Sequence, residues 1–289
     1  MQVFLTGATG WVGAKVAADL IAAGHKVTGL ARDAHKAQAL IAAGGEVVSG
    51  TLDDHHLLFD AASRADAVIH TAFNHDFSRF ADSCLQDSRA IEVMGEALAG
   101  SQRPLLVTSG LARIAEGRLA TERDKPASRA DFLRRSEQTA QALVARGVRA
   151  ASVRLPPTVH GVGDHGFIPF LIALAKETGV SAWPGEGNNR WAAVHRLDAA
   201  KVYRLALESG VTQAVYHAVA EEGIAMREIA IAIGNKLGLP AESRDVDHFG
   251  WFATFAAADM AASSKQTQEI LGWQPVERDL LTDLADAAW

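Results

Sequence analysis

The chain alternates short runs of β-branched and aliphatic residues with longer segments whose apolar positions recur every three or four residues. "QVFLTG" reads as a strand, and "WVGAKVAADLIAAG" as a helix that stops at Gly24. "HKVTGLAR", "GEVVSG", "ADAVIHTAF", "RPLLVTSG" and "RAASVRLPP" read as the second to sixth strands. "DAHKAQALIAAG", "DDHHLLFDAASR", a long segment near 81 to 100 and another near 130 to 146 read as the helices between them. Strands joined by helices close through right-handed crossovers. The pattern therefore predicts an α/β fold, a doubly wound parallel sheet (Rossmann fold) covered on both faces.

The pattern changes after Pro156 and Pro157. Glycine-rich loops, "HGVGDHG" and "PGEGNN", precede "RWAAVHRLDAAKVYRLALESG", a short strand feeding a helix. "QAVYHAVA" reads as one more strand, expected to join the main sheet. Helices are expected at about 225–237 and 263–271, with a short one near the C-terminus. This divides the chain into a Rossmann domain over 1–159, its sheet completed by about 192–220, and a smaller substrate-binding lobe over 160–289.

Composition removes several function classes. Hydrophobic residues are 48% and charged residues 21%, as in ordinary globular proteins. A net charge of -6 without a long basic run argues against a nucleic-acid partner. No apolar run approaches the ~18 residues of a membrane span, and the first apolar stretch lacks the basic flank of a signal peptide. The single cysteine, Cys84, excludes an intramolecular disulfide and fits a reducing cytoplasm, the expected location. No metal is expected either. "DDHH" at 53–56 turns its histidines to different helix faces, and one cysteine cannot build a thiolate site.

The chemistry begins at Gly7, Gly10 and Gly13, between the first strand and the first helix. Gly7 permits a tight turn, Gly10 lets backbone approach a pyrophosphate, and Gly13 lets the helix lie close to the strand. The helix N-terminus then favours the anion. The Gly-x-x-Gly-x-x-Gly spacing is one residue longer in its first gap than the common dinucleotide fingerprint. The second strand ends at Ala31, where an NAD site places a carboxylate, and Arg32 follows, with Lys36 one turn on. Cations there suit a 2′-phosphate, so NADP(H) is the expected cofactor. The plainer alternative is that Arg32 and Lys36 solvate a helix start.

"TGATGWVG", which includes Thr9, Trp11 and Val12, resembles the cofactor loop of the short-chain dehydrogenase/reductase superfamily, in its extended or atypical, epimerase/dehydratase-like branch. The resemblance runs along nearly the whole chain. "SGTLDD" resembles the segment beside adenine, with Thr51 where an Asp is usual and Leu52 next to it. "AVIHTAF" resembles the strand end under the cofactor ribose, which implicates Thr71, Ala72 and Phe73. "VRLPPTVHGVGDHG" resembles that branch's "R-P-x-x-V-Y-G" segment. It implies cofactor contacts at Pro156 and Val159 and puts His160 in the Tyr place. "AVHRLDAAKV" resembles "V-H-V-D-D-V-A". The resemblance implies a small-molecule substrate, and a homodimer paired through the helices after the fourth and fifth strands.

One departure from the family is plain. Its Tyr-x-x-x-Lys pair, which gives a proton to the substrate carbonyl, is absent: Leu207 and Ala220 follow the only tyrosines, Tyr203 and Tyr216, by four residues. Aligned on Glu137, the Tyr and Lys places fall to Arg129 and Leu133. Substitute candidates are Ser109, with Thr108 beside it, then His160 and His75, with Asp76 adjacent. Each has a structural alternative: a strand-end cap for Ser109, a hydrogen-bonded core imidazole for His160. His165, Trp191 and His195 gather in the substrate-side half. There Arg190 and Trp191 are expected near the cleft mouth, Trp191 as an apolar wall. The leading expectation is an NADPH-dependent reductase of a carbonyl or imine on a small, largely apolar substrate. The alternatives are a nucleotide-sugar epimerase/dehydratase-like enzyme and a non-catalytic NADP(H)-binding redox sensor.

Overall fold

The computed structural model describes residues 1–112, 114–115, 117–126 and 133–286. The chain begins β1 (Gln2–Thr6), α1 (Gly13–Ala22), β2 (Lys26–Ala31), α2 (Ala34–Ala42), β3 (Glu46–Ser49), α3 (His55–Arg64) and β4 (Ala67–His70). It continues with α4 (Phe80–Leu98), β5 (Pro104–Gly110), α5 (Ser136–Ala145), β6 (Arg149–Leu155), β7 (Thr158–His160) and α6 (Phe167–Thr178). Then come β8 (Ser181–Pro184), β9 (Arg190–His195), α7 (Arg196–Glu208), β10 (Val215–His217), β11 (Glu221–Ala225) and α8 (Met226–Leu237). β12 (Ala241–Arg244), α9 (Ala253–Ala256), α10 (Lys265–Leu271) and α11 (Leu280–Asp286) complete it.

Seven strands form the main sheet in the order β10-β6-β5-β4-β1-β2-β3. β1 pairs in parallel with β2 and β4, aligning Leu5 with Gly29 and with Ile69. The expected doubly wound sheet is present, and the strand order reverses between β1 and β4, where such sheets bind ligands at their carboxyl ends. All four residues of β4 are buried, as a strand covered by helices on both faces requires. Phe4, Leu58, Val68, Ile91, Met94, Leu105 and Leu143 belong to the core under this sheet. β10, from "QAVYHAVA", takes the edge beside β6, whereas β9 joins a small separate sheet.

The chain divides into two compact units. The first comprises Met1–Ser109, Pro126–Arg154 and Ala200–Tyr216, and the second Gly110–Lys125, Leu155–Ala199 and His217–Trp289. The second unit holds the three-stranded sheet β11-β9-β7 and the parallel pair β12-β8. Its α6, not expected from the sequence, carries "FIPFLIALAKET" into a core with Trp191, Met226, Ile229 and Phe252. Carboxylates pin its C-terminal segment. Asp198 Oδ2 accepts the Val276 and Glu277 amides at 2.9 and 2.8 Å, and Glu221 Oε2 accepts that of Leu280 at 2.8 Å. No described helix is long and apolar enough to cross a membrane.

Candidate functional site

Gly7, Gly10 and Gly13 form the turn from β1 into α1. Gly7 is in the left-handed region at φ 71°, and a Cβ on it would lie 2.7 Å from the Ala72 amide nitrogen and from Thr71 Oγ1. A Cβ on Gly13 would overlap the Gly7 carbonyl oxygen. The Gly10 amide donates to that oxygen at 2.8 Å, and Thr71 Oγ1 donates to the Thr6 carbonyl at 2.8 Å. The turn is thus locked against the end of β4, with backbone where side chains would otherwise stand. Its helix begins at Val12 with no side-chain cap and no acidic residue in the first turn. Such a helix start suits an anionic ligand, and this cradle fits the pyrophosphate of a dinucleotide.

The next helix differs. Asp33 caps α2, accepting the His35 amide at 2.8 Å and the Lys36 amide at 3.4 Å. Those hydrogen bonds hold its carboxyl below the usual range. Arg32 and Lys36 are exposed, and neither makes an ion pair among the described residues. Thr51 is half-buried and donates through its hydroxyl to Asp54 at 3.0 Å, while Leu52 is a core residue. Thr9, Trp11 and Val12 are half-buried around the glycine turn, as are Thr71, Ala72 and Phe73 after β4.

The proton-donor candidates are more constrained. Ser109, at the end of β5, donates to Glu137 Oε2 at 3.3 Å. Glu137 is itself clasped by Arg154, through Nε at 2.8 Å and Nη2 at 2.6 Å. Thr108 donates to the His70 carbonyl at 2.8 Å and shares a 2.8 Å hydrogen bond with the Tyr203 hydroxyl. Tyr203 is fully buried, which pushes its phenol well above the ordinary tyrosine range. Tyr216 is equally buried, and its hydroxyl accepts the Gln213 amide at 3.0 Å. Both tyrosines are core residues. His75 is exposed, its ring edge-on to Phe73 at 5.2 Å. Arg129 lies outside the described residues, and Leu133 is exposed.

Pro156, Val159 and His160 belong to the second unit. His160 is fully buried, with Nδ1 2.9 Å from Asp283 Oδ2 and its ring edge-on to His195 at 5.4 Å. Burial pulls this imidazole below its ordinary value against the opposing pull of Asp283. That is the setting of a core histidine fastening α11. Trp191 is fully buried against Phe167 and Phe252, so it is part of the core where an apolar wall near the cleft mouth was expected. Arg190 is held by Asp259, through Nε at 3.1 Å and Nη2 at 2.9 Å. His165 is exposed and His195 half-buried.

One residue that the sequence reading passed over stands at the end of β5. The Arg134 guanidinium carbon lies 4.1 Å from the Phe73 ring centroid, and its Nη2 donates to the Thr108 carbonyl at 3.2 Å. Its Nε donates to Ser136 Oγ at 3.0 Å, and Ser136 donates to Asp87 Oδ2 at 2.6 Å. Asp87 Oδ1 meets His70 Nε2 at 3.0 Å, and His70 Nδ1 meets Thr6 Oγ1 at 2.7 Å. Burial alone would raise the Asp87 carboxyl, but His70, Arg134 and Ser136 together hold it below the usual value. The only sequence signal was a basic residue beside the place of the missing lysine.

A glycine cradle at the switch point of a doubly wound sheet defines a dinucleotide-binding protein. Residues 7–159 match a family model described as NAD(P)H-binding, and the chain belongs to that family. It is 46% identical over 294 residues to an uncharacterized protein of Schizosaccharomyces pombe, with both chains covered completely. It is 26% identical to a 4-hydroxy-2-methyl-3-oxo-4-farnesyl-3,4-dihydroquinoline-1-oxide ketoreductase of Stigmatella aurantiaca, covering 91% of this chain and 80% of that one. The NAD complex of UDP-glucose 4-epimerase from Thermus thermophilus shares the fold, with a TM-score of 0.74 at 20% identity and full coverage of both chains.

Proposed function

We propose that this protein is an NADPH-dependent oxidoreductase that reduces a carbonyl or imine of a small, largely apolar substrate without a tyrosine acid. The observation that carries the reading is the glycine turn locked on Thr71 and Ala72, which offers an uncapped helix start to a diphosphate. When bound, the reduced nicotinamide supplies the hydride.

The chain's own residues bind and orient. Backbone at Gly7, Thr9, Gly10, Trp11, Val12 and Gly13 takes the pyrophosphate. Arg32 and Lys36, unpaired among the described residues, take a 2′-phosphate, while the Asp33 carboxylate is engaged by the α2 amides that it caps. Thr51 and Leu52 lie beside adenine, and Thr71, Ala72 and Phe73 under the ribose. Residues 1–159 and 160–289 divide cofactor and substrate binding. Ser109 orients a substrate oxygen by turning toward it the hydroxyl proton that now points at Glu137.

The capture of Arg190 by Asp259 removes one cation a nucleotide-sugar diphosphate would need, which favours a reductase over an epimerase. Burial of both tyrosines equally suits a second reading, a protein that binds NADP(H) without turnover. Incubation with NADPH and a panel of ketones, aldehydes, quinones and cyclic imines separates the two. Substrate-dependent loss of nicotinamide absorbance is the expected result. Tight NADPH binding with no turnover on any member would favour the sensor.

A further inference from the structure

The strand order places the two halves of a dinucleotide on opposite sides of the glycine turn: one over the ends of β1, β2 and β3, the other over the ends of β4 and β5. Arg32 stands on the first side. On the second, Phe73 follows β4, Thr108 and Ser109 end β5, and Arg134 bridges them. Arg134 is half-buried and makes no ion pair with a carboxylate among the described residues. Its Nε and one Nη2 proton are used on Ser136 and Thr108, so the guanidinium end that carries Nη1 has no partner among the described residues.

Arg134 is linked to the Asp87 carboxylate only through Ser136, so its stacked guanidinium keeps N–H groups for a charge-assisted hydrogen bond to a ligand oxygen. The buried chain Thr6–His70–Asp87–Ser136 fixes its plane, so little ordering remains for ligand binding to cost. The geometry points to Arg134 as a site for a negatively polarised ligand oxygen at the nicotinamide half, filling the electrostatic role left by the missing pair. The oxygen comes from one of two sources: the cofactor's nicotinamide nucleotide, or the substrate's carbonyl. The placement at the nicotinamide half rests on the cofactor reading above. Ser136 and Asp87 act through Arg134 and are positioning residues.

The test measures dissociation constants for wild type, Arg134→Met and Arg134→Lys with four probes. These are NADPH, reduced nicotinamide mononucleotide, adenosine 2′,5′-bisphosphate, and benzoate added to NADP-saturated protein. Benzoate mimics a charged oxygen on a small apolar body. A loss of about 10- to 100-fold in Arg134→Met for the mononucleotide and NADPH, with the bisphosphate unchanged, assigns the cofactor as source. The same loss for benzoate alone assigns the substrate. Arg134→Lys should lose less, because it keeps the charge but not the fork, and it carries the comparison if the Met variant does not fold. Unchanged binding of the mononucleotide, with benzoate either unaffected or not bound by wild type, overturns the proposal. If wild type binds no nucleotide the cofactor reading fails separately, and benzoate, added without NADP, alone decides Arg134.

Discussion

The carbonyl oxygen of Gly7 occupies the space that any side chain on Gly13 would need. A methyl group there would also lie 2.5 Å from Thr71 Oγ1, so the β1–α1 turn must shift away from both. Gly13→Ala is expected to cut NADPH affinity at least about 10-fold and to lower the stability of the nucleotide-free protein by roughly 1–3 kcal/mol, as overpacking does. Fluorescence titration and urea unfolding measure the two effects. Wild-type NADPH affinity in this variant would show that the turn is not the cradle.

The Glu137–Arg154 pair is fully desolvated, with Ser109 and Gln141 as further donors to the carboxylate. Removing one member leaves the other charged and buried. Glu137→Gln is expected to cost about 3–5 kcal/mol, and Glu137→Gln with Arg154→Met to recover part of that loss. Urea denaturation of the two single variants and the double variant gives the coupling. Additive losses would mean that the charges act independently.

Stability should respond to pH through His160. Burial lowers its folded-state value below the ordinary 6.5, despite Asp283, and His195 shifts the same way for the same reason. The unfolded chain therefore takes up these protons first. Their contribution is complete above about pH 6.5 and is lost as pH falls through and below that value. Burial raises Asp164 and Glu221, which work in the opposite direction at lower pH. His160→Gln isolates the imidazole: the fall in unfolding free energy from pH 7 to pH 5 should be shallower than in wild type. An identical slope would assign the acid limb to other groups.

The parallel sheet was legible because each strand is a short apolar run between helices with a clear period, as "VFLT" before α1 and "AVIH" before α4 illustrate. The glycine turn was legible because its spacing and its place after β1 are both local features. α6 was not, since "FIPFLIALAKET" is apolar on nearly every side and offers no polar face to set its period. Arg134 escaped because its meaning lies in contacts with Phe73 and Thr108, which are remote in sequence. Trp191 misled for the complementary reason. Aromatic type does not distinguish a pocket wall from a core, and the core of Phe167 and Phe252 was not visible in the sequence.

The proposed preference for NADPH rests on Arg32. Parallel titrations of NADPH and NADH into wild type and Arg32→Asp test it most directly. Wild type should bind NADPH at least about 10-fold more tightly, and Arg32→Asp should abolish or reverse that preference while leaving NADH affinity nearly unchanged. Equal losses for both nucleotides, or no preference in wild type, would contradict it.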